Sequence, residues 1–279
     1  MDRKMMIHEE YARLKEQRKE ALERLSKWIC VYDDMILQKK PYLEALYIKC
    51  FGALEQACYA AYVQAGALRR KIDLVRAYLN RDAEPDLDEI EDVLRAEFEK
   101  YEDELKKMEM ERQNALALVS SRTLSEEESK KLKQLYRSLA KKLHPDLNPK
   151  QTEKVKNQWQ RAMDAYRMGD LVKLEILTEL VEADRPRAAD EAEKPEEDAL
   201  ESLRAQLKKT KEQIASCLAA IERLDAEAPF KFAQVLNDPA QITARQRELQ
   251  EQKAVYDSRI REHEGVLELL LLEKSKYVH

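Results

Sequence analysis

The sequence of 279 residues contains little of what builds turns and large globular cores. It has only 4 glycines and 8 prolines, and aromatic residues make up 6% of the chain. Glycine and proline are the strongest markers of turns, so their scarcity favours long uninterrupted helices. Charged residues reach 38% in a composition rich in Leu, Ala, Glu, Lys and Arg. We therefore expect an all-α protein made of several thin helical modules rather than one large core.

Other absences exclude classes of protein. No apolar run approaches the roughly 20 residues that span a membrane, and the N-terminal segment has no apolar block typical of a signal peptide. The 4 cysteines show no Cys-x-x-Cys spacing, and no second His or Cys lies at ligand spacing. These features predict a reduced, cytoplasmic protein with no metal site and no membrane association.

Catalytic patterns are also missing. We find no nucleophile beside a base, no metal cluster and no phosphate-binding loop, and "GALRRK" at 66–71 lacks P-loop spacing. We therefore predict that the protein is not an enzyme, with no catalytic residue and no cofactor. The formal net charge of -5 is mixed in sign and does not indicate a nucleic-acid binder overall.

Apolar residues recur at alternating spacings of four and three in the N-terminal part, which is typical of a coiled-coil seam. The first helix is expected over residues 3–40, and Pro41 is expected to break it or to start the next one. Its seam has one charged interruption at Arg18, and short connections favour antiparallel neighbours. The first seam comprises Ile7, Tyr11, Leu14, Arg18, Ala21, Leu25, Trp28, Tyr32 and Met35.

The C-terminal part shows a second seam, with Thr210 as its polar member, after a proline-containing stretch with seven acids, "DRPRAADEAEKPEED". That stretch cannot form a core and predicts a linker. We divide the chain into a long-helix bundle or coiled coil (1–122), a small helical module (123–183), an acidic linker (184–198) and an antiparallel coiled-coil hairpin (199–279). The second seam comprises Leu200, Leu203, Leu207, Thr210, Ile214, Cys217, Ile221 and Leu224.

The small module contains the corner "HPD" at His144, Pro145 and Asp146. Ser125 and Glu128 form the capping-box pattern that predicts a helix start, and the helix runs to the corner. Six basic residues and no acid lie between Lys130 and Lys142. Two antiparallel helices around the corner would bury one apolar face each and leave the basic face in water. The expected core comprises Leu135, Tyr136, Leu139 and Leu143 before the corner, and Trp159, Ala162 and Tyr166 after it.

The run "LYRSLAKKLHPDLNP", followed by Trp, Ala and Ala-Tyr on a second helix, resembles the J domain of DnaJ-type (Hsp40) co-chaperones. The fold class expected is therefore all-α, with long antiparallel coiled-coil helices flanking a small J-like helical hairpin. The family's Tyr-Tyr and Leu-Gly pattern on the first helix is absent before Ser125. Its packing role is expected to fall to Leu116, Leu118 and Val119. The family's basic segment after the third helix is absent as well.

The resemblance implies a partner and a site. In the family, the corner and the basic face contact an Hsp70-type chaperone and stimulate its ATPase. The resemblance therefore assigns Hsp70 binding to His144, Pro145 and Asp146 of the corner. It also assigns the basic face, Lys133, Arg137, Lys141 and Lys142. The coiled coils would serve targeting, or assembly with a second copy or another coiled-coil partner.

Two alternatives stay open. In the first, the chain is a structural coiled-coil scaffold whose J-like segment no longer engages Hsp70, and His144 only ends a helix, where a cation would suit the dipole. In the second, the run from Lys130 to Lys142 binds nucleic acid, against which the acidic remainder of the chain argues. The adaptor requires an exposed corner beside the basic face, whereas a corner covered by another helix favours the scaffold.

Overall fold

The computed structural model describes residues 3–121, 124–149, 151–183 and 197–275. Within these ranges every regular element is helical and none is a strand, as an all-α fold requires. Two π-helical turns, Met35–Lys39 and Ile48–Gly52, separate the first three α-helices. The α-helices are α1 (Arg3–Asp34), α2 (Lys40–Tyr47), α3 (Ala53–Leu79), α4 (Leu87–Ser121), α5 (Glu126–Leu143), α6 (Glu153–Met168), α7 (Leu171–Ala183), α8 (Glu197–Ala226), α9 (Ala233–Leu236) and α10 (Pro239–Ser275).

Pro41 is the second residue of α2, so it lies at the start of a helix and does not interrupt one. The π-helical turn before it explains how this proline is accommodated. The Lys40 N–H donates to the Met35 carbonyl, five residues back, which widens the turn. A proline has no N–H and its ring crowds the preceding turn, so a locally wider turn relieves the conflict.

The chain divides into two compact units. The first contains residues 1–41 and 122–231, and the second contains 42–121 and 232–279. The predicted segments 1–122 and 199–279 are therefore each divided between the units. The predicted linker lies outside the described residues except at 197–198, where α8 begins.

In the first unit, α1 and α8 pack along their seams. Leu14, Ala21 and Leu25 of α1 share one buried cluster with Leu207 and Ile214 of α8. The Arg204 guanidinium pairs with Glu10, which fixes the register near the start of both helices. Since the cluster continues toward the end of both helices, the two run parallel.

The first unit also holds the module of α5, α6 and α7. The Ser125 hydroxyl accepts from the Glu128 N–H and the Glu128 carboxylate accepts from the Ser125 N–H, which completes the predicted capping box of α5. Gly169 ends α6 with φ +69, a left-handed conformation that glycine adopts without strain. A Cβ at Gly169 would lie 3.2 Å from the Leu124 side chain, so glycine also suits the space there.

In the second unit, α3 packs against α4 and α10. Arg70 forms a bidentate pair with Glu97 at 2.8 and 2.9 Å, and Gln56 donates to the Leu105 carbonyl, so α3 and α4 are antiparallel. The Gln246 amide donates to the Cys50 carbonyl and His263 contacts the Ala65 carbonyl. Helices α3 and α10 are therefore parallel.

Where an antiparallel hairpin over 199–279 is predicted, α8 packs on α1 within the first unit and α10 packs on α3 within the second. The seam of α8 itself is buried where the spacing places it, at Leu200, Leu203, Leu207 and Ile214. The spacing of apolar residues tells which face of a helix is buried, but it does not tell which helix covers that face.

Candidate functional site

The corner is built by the way α5 ends. The His144 N–H donates to the Ala140 carbonyl at 2.9 Å, and His144 then turns to an extended conformation with φ -65 and ψ 132. The following proline disfavours helical geometry at its predecessor, which is why the helix stops here. The Asn148 amide donates to the carbonyls of Lys141 (3.2 Å) and His144 (3.3 Å), and Gln151 donates to that of Leu143. These side chains satisfy helix-end carbonyls that would otherwise lack donors.

The His144 ring is fixed from two sides. It lies edge-on to the Trp159 indole with ring centroids 5.1 Å apart. Its Nδ1 accepts from the Asp146 N–H at 3.1 Å, so Nδ1 carries no proton in this arrangement. Burial lowers the pKa of His144, while nearby Asp146 opposes the shift. The neutral imidazole is thus favoured, and a stabilising effect of a histidine cation on the helix dipole has no support here.

The three residues of the corner differ in accessibility. Pro145 and Asp146 are exposed, whereas His144 is half-buried. Within the described part of the chain, the Asp146 carboxylate forms no ion pair. The next residue, Leu147, is half-buried and packs against the cluster of α1 and α8. The corner is therefore held at its base by neighbouring helices and open at its tip.

The residues assigned to the basic face of α5 divide into two that form ion pairs and two that form none with the described residues. Lys133 pairs with Asp34 at 3.2 Å, and Lys142 pairs with Glu182 of α7 at 2.9 Å. Arg137 and Lys141 are exposed and have no ion-pair partner among the residues that the structure describes. In each pair one side chain is largely covered, since Asp34 is 14% exposed and Lys142 is 19% exposed, so these two lysines are less available at the surface than Arg137 and Lys141.

An acidic pair at the end of α1 contacts the module. The Tyr136 hydroxyl donates to Asp33 at 2.8 Å, and the Tyr166 hydroxyl donates to Asp34 at 2.7 Å. The two tyrosine rings stack with centroids 4.1 Å apart. Burial raises the pKa of Asp33 to about 6, although the bond from Tyr136 favours its charged form. This pair joins α1 to both helices that flank the corner.

The predicted core of the module lies together in one cluster. Its members apart from Leu135 are buried, and Leu135 is half-buried against the cluster. The cluster extends to Leu174, Leu177 and Val181 of α7 and to Leu37 of the π-helical turn after α1. The buried members predicted from the sequence are Tyr136, Leu139, Leu143, Trp159, Ala162 and Tyr166.

The expected packing of Leu116, Leu118 and Val119 on this core is not what the structure shows. Leu116 and Leu118 are 38% and 42% exposed on α4, and Val119, also on α4, is half-buried and lies outside this cluster. Cys30, Ile36 and Leu37, at the end of α1 and in the turn after it, pack there instead. The spacing of the first seam does not indicate that the end of α1 packs on this module, because this contact joins segments that are about 100 residues apart in the sequence.

Neither a scan against models of protein families nor searches among curated proteins and solved structures find a match to this chain. In the part that the structure describes, no helix is both long and apolar enough to cross a membrane. The same residues contain no group of three or more His, Cys, Asp or Glu side chains placed to hold a metal ion.

Proposed function

We propose that the chain is a J-domain co-chaperone that acts as an adaptor in protein folding. It binds an Hsp70-type chaperone through the corner and the basic face of α5 and stimulates the ATPase of that chaperone. The observation that carries the proposal is the exposure of Pro145 and Asp146 beside Arg137 and Lys141, two exposed cations that form no ion pair with any described residue. The paired helices of each unit serve targeting or assembly.

The chemistry of the corner supports a docking role. The exposed Asp146 carboxylate forms no ion pair with the residues that the structure describes, so it can accept a bidentate hydrogen bond from a partner's arginine. The fixed His144 ring and the Asn148 bonds hold the turn in one conformation, so little entropy is lost when a partner binds. Arg137 and Lys141 attract an acidic surface and accelerate the encounter with it.

A structural scaffold is the second candidate, and particular contacts favour it. Lys133 is already paired with Asp34, and Leu147 is packed against α1 and α8. His144 is half-buried, which reduces the area that it offers to a partner. In this alternative the corner is a packed turn that keeps α5 and α6 antiparallel and engages no chaperone.

Binding to an Hsp70 in its ATP-bound state, measured by biolayer interferometry, separates the two candidates. The co-chaperone predicts saturable binding that Asp146→Asn weakens about tenfold or more, because the variant removes one partner of a charged pair. The matched control is Asp164→Asn on α6, an exposed aspartate outside the corner, which should bind like the wild type.

Raising the salt concentration tests the role of the free cations. Binding of the wild type should weaken as salt screens Arg137 and Lys141, with a slower association rate. The scaffold predicts no saturable binding to Hsp70s from several sources, although circular dichroism shows a folded helical chain. Binding that is salt-sensitive but equal in wild type and Asp146→Asn would indicate general charge attraction and would contradict the proposal.

A further inference from the structure

A groove of about 690 Å³ runs along α1 beside the corner, within the first unit. One wall is a face of α1, and the end of α5 with the following loop closes it at Lys141, Leu147 and Asn148. Its volume falls in the range of about 300–1,000 Å³ that is typical of small-ligand sites.

Two polar groups of the groove have no hydrogen-bond partner among the described residues. Ser26 is only 1% exposed, and its hydroxyl is bonded to none of these residues. The Nε–H of Arg18 is also buried and finds no acceptor among them. Buried polar groups in proteins are nearly always hydrogen-bonded, and each exception requires an explanation such as an ion or a ligand. Both side chains line the groove.

Arg18 is the charged interruption of the first seam. A leucine at this position would extend the seam toward α8, so the arginine costs stability unless it has another use. The guanidinium only donates hydrogen bonds, so its missing partner must be an acceptor. Arg18 occupies a seam position, and its buried Nε–H donates no hydrogen bond to the described residues. This arrangement therefore points to an acceptor that a bound ligand supplies.

The charges of the groove favour an anion. Four cationic residues line it, against two acids, Glu16 and Glu23. Lys19 pairs with Glu16 at 3.4 Å, whereas Lys15, Arg18 and Lys141 form no ion pair within the described residues. The cationic residues are Lys15, Arg18, Lys19 and Lys141.

We propose that this groove binds a phosphate-type oxyanion through Arg18 and Ser26, whose covered Nε and Oγ atoms reach the anion by rotation of the two side chains, with the surrounding lysines balancing its charge. The excess of two cations over acids matches a dianion, and arginine pairs well with phosphate oxygens. The ligand is either a free polyphosphate or a phosphorylated side chain, which share this chemistry. The groove shares Lys141 with the basic face of α5. Arg18 and Ser26 belong neither to the corner nor to that face, so substitutions at these two residues test the anion site and leave every proposed chaperone contact in place.

Isothermal titration calorimetry on the full chain tests the site with two probes, tripolyphosphate and a phosphoserine tripeptide. One site per chain is expected for at least one probe, and the tighter probe identifies the source of the phosphate. Arg18→Leu should weaken binding about tenfold or more, because it removes a charged donor, and Ser26→Ala should weaken it about threefold or more. Lys27→Gln, an exposed lysine of α1 outside the groove, is the control and should bind within about twofold of wild type.

The proposal is overturned if neither probe binds with defined stoichiometry. It is also overturned if Arg18→Leu and Lys27→Gln weaken binding equally, since that result would show attraction by overall charge alone. Leucine suits the apolar seam, so Arg18→Leu should keep its helical circular dichroism. Ser26→Ala supplies a second variant that leaves every charge in place.

Discussion

Asp33 should make the first unit less stable at neutral pH than at acidic pH. It is partly buried, accepts from the Tyr136 hydroxyl at 2.8 Å, and its pKa is raised to about 6. Burial is the main cause, and the nearby Asp146 carboxylate adds to it. The neighbouring Cys30 and Tyr166 have pKa values raised by burial and stay neutral throughout the acidic range.

The sign follows from comparing the two states. The pKa of Asp33 rises from the ordinary value of 3.8 to about 6 on folding, so the folded state binds the proton more tightly. The stabilisation by this proton is complete below pH 4 and is lost as the pH rises through 6. A shift of roughly two units corresponds to about 3 kcal/mol, and partial solvent exposure reduces this to about 1–2 kcal/mol.

Asp33→Asn should remove the decrease in the free energy of unfolding that Asp33 causes as the pH rises. Asparagine still offers an oxygen to Tyr136 and carries no charge, so the variant should match wild type near pH 4. At pH 7 the variant should be more stable by about 1–2 kcal/mol. Both tryptophans, Trp28 and Trp159, lie in the first unit, so urea unfolding followed by tryptophan fluorescence reports on that unit alone. The control is Asp225→Asn, an exposed aspartate of α8.

A stability difference between wild type and Asp33→Asn that does not change between pH 4 and pH 7 would refute this reasoning. A difference that grows toward low pH would refute it more strongly, because it would mean that the folded unit stabilises the charged carboxylate.

The structure also predicts the stability changes caused by substitutions at a core position and at a helix cap, and the reactivity of one buried thiol. Leu139→Ala, at a position with 0% exposure, should cost the first unit about 2–5 kcal/mol in urea unfolding, whereas Leu180→Ala, at 49% exposure, should cost less than about 0.5 kcal/mol. Ser125→Ala removes the capping hydroxyl of α5 and should lower the stability by about 1 kcal/mol in the same assay; an unchanged value would show that the cap is dispensable. The pKa of the Cys30 thiol is raised to about 11, so iodoacetamide at pH 8 should label it about a hundredfold more slowly in the folded than in the urea-unfolded chain, by peptide mass spectrometry.

Local features of the module could be predicted from the sequence because they depend on neighbours along the chain. The capping box at Ser125, the helix end at Gly169 and the stop before Pro145 each follow from the conformational preference of one or two residues. The buried faces of α5 and α6 follow from the helical spacing of their apolar residues.

The contacts between distant segments could not be predicted in the same way. Apolar seams of similar spacing are interchangeable as partners, so the parallel pairing of α1 with α8 depends on the whole fold. The sequence does indicate that Asp33 and Asp34 have partners, because adjacent carboxylates in the apolar run "WICVYDDMIL" require hydrogen-bond donors. The donors, Tyr136 and Tyr166, lie more than 100 residues away.

The stimulation of single-turnover ATP hydrolysis by an Hsp70 tests the central claim most directly. The account predicts that the wild-type chain accelerates hydrolysis, that His144→Gln abolishes the acceleration, and that Asp164→Asn preserves it. His144→Gln must first be shown to be folded by circular dichroism. If neither the wild type nor the control accelerates hydrolysis by any of several Hsp70s, or if His144→Gln accelerates it as well as the wild type does, the corner does not function as a J domain.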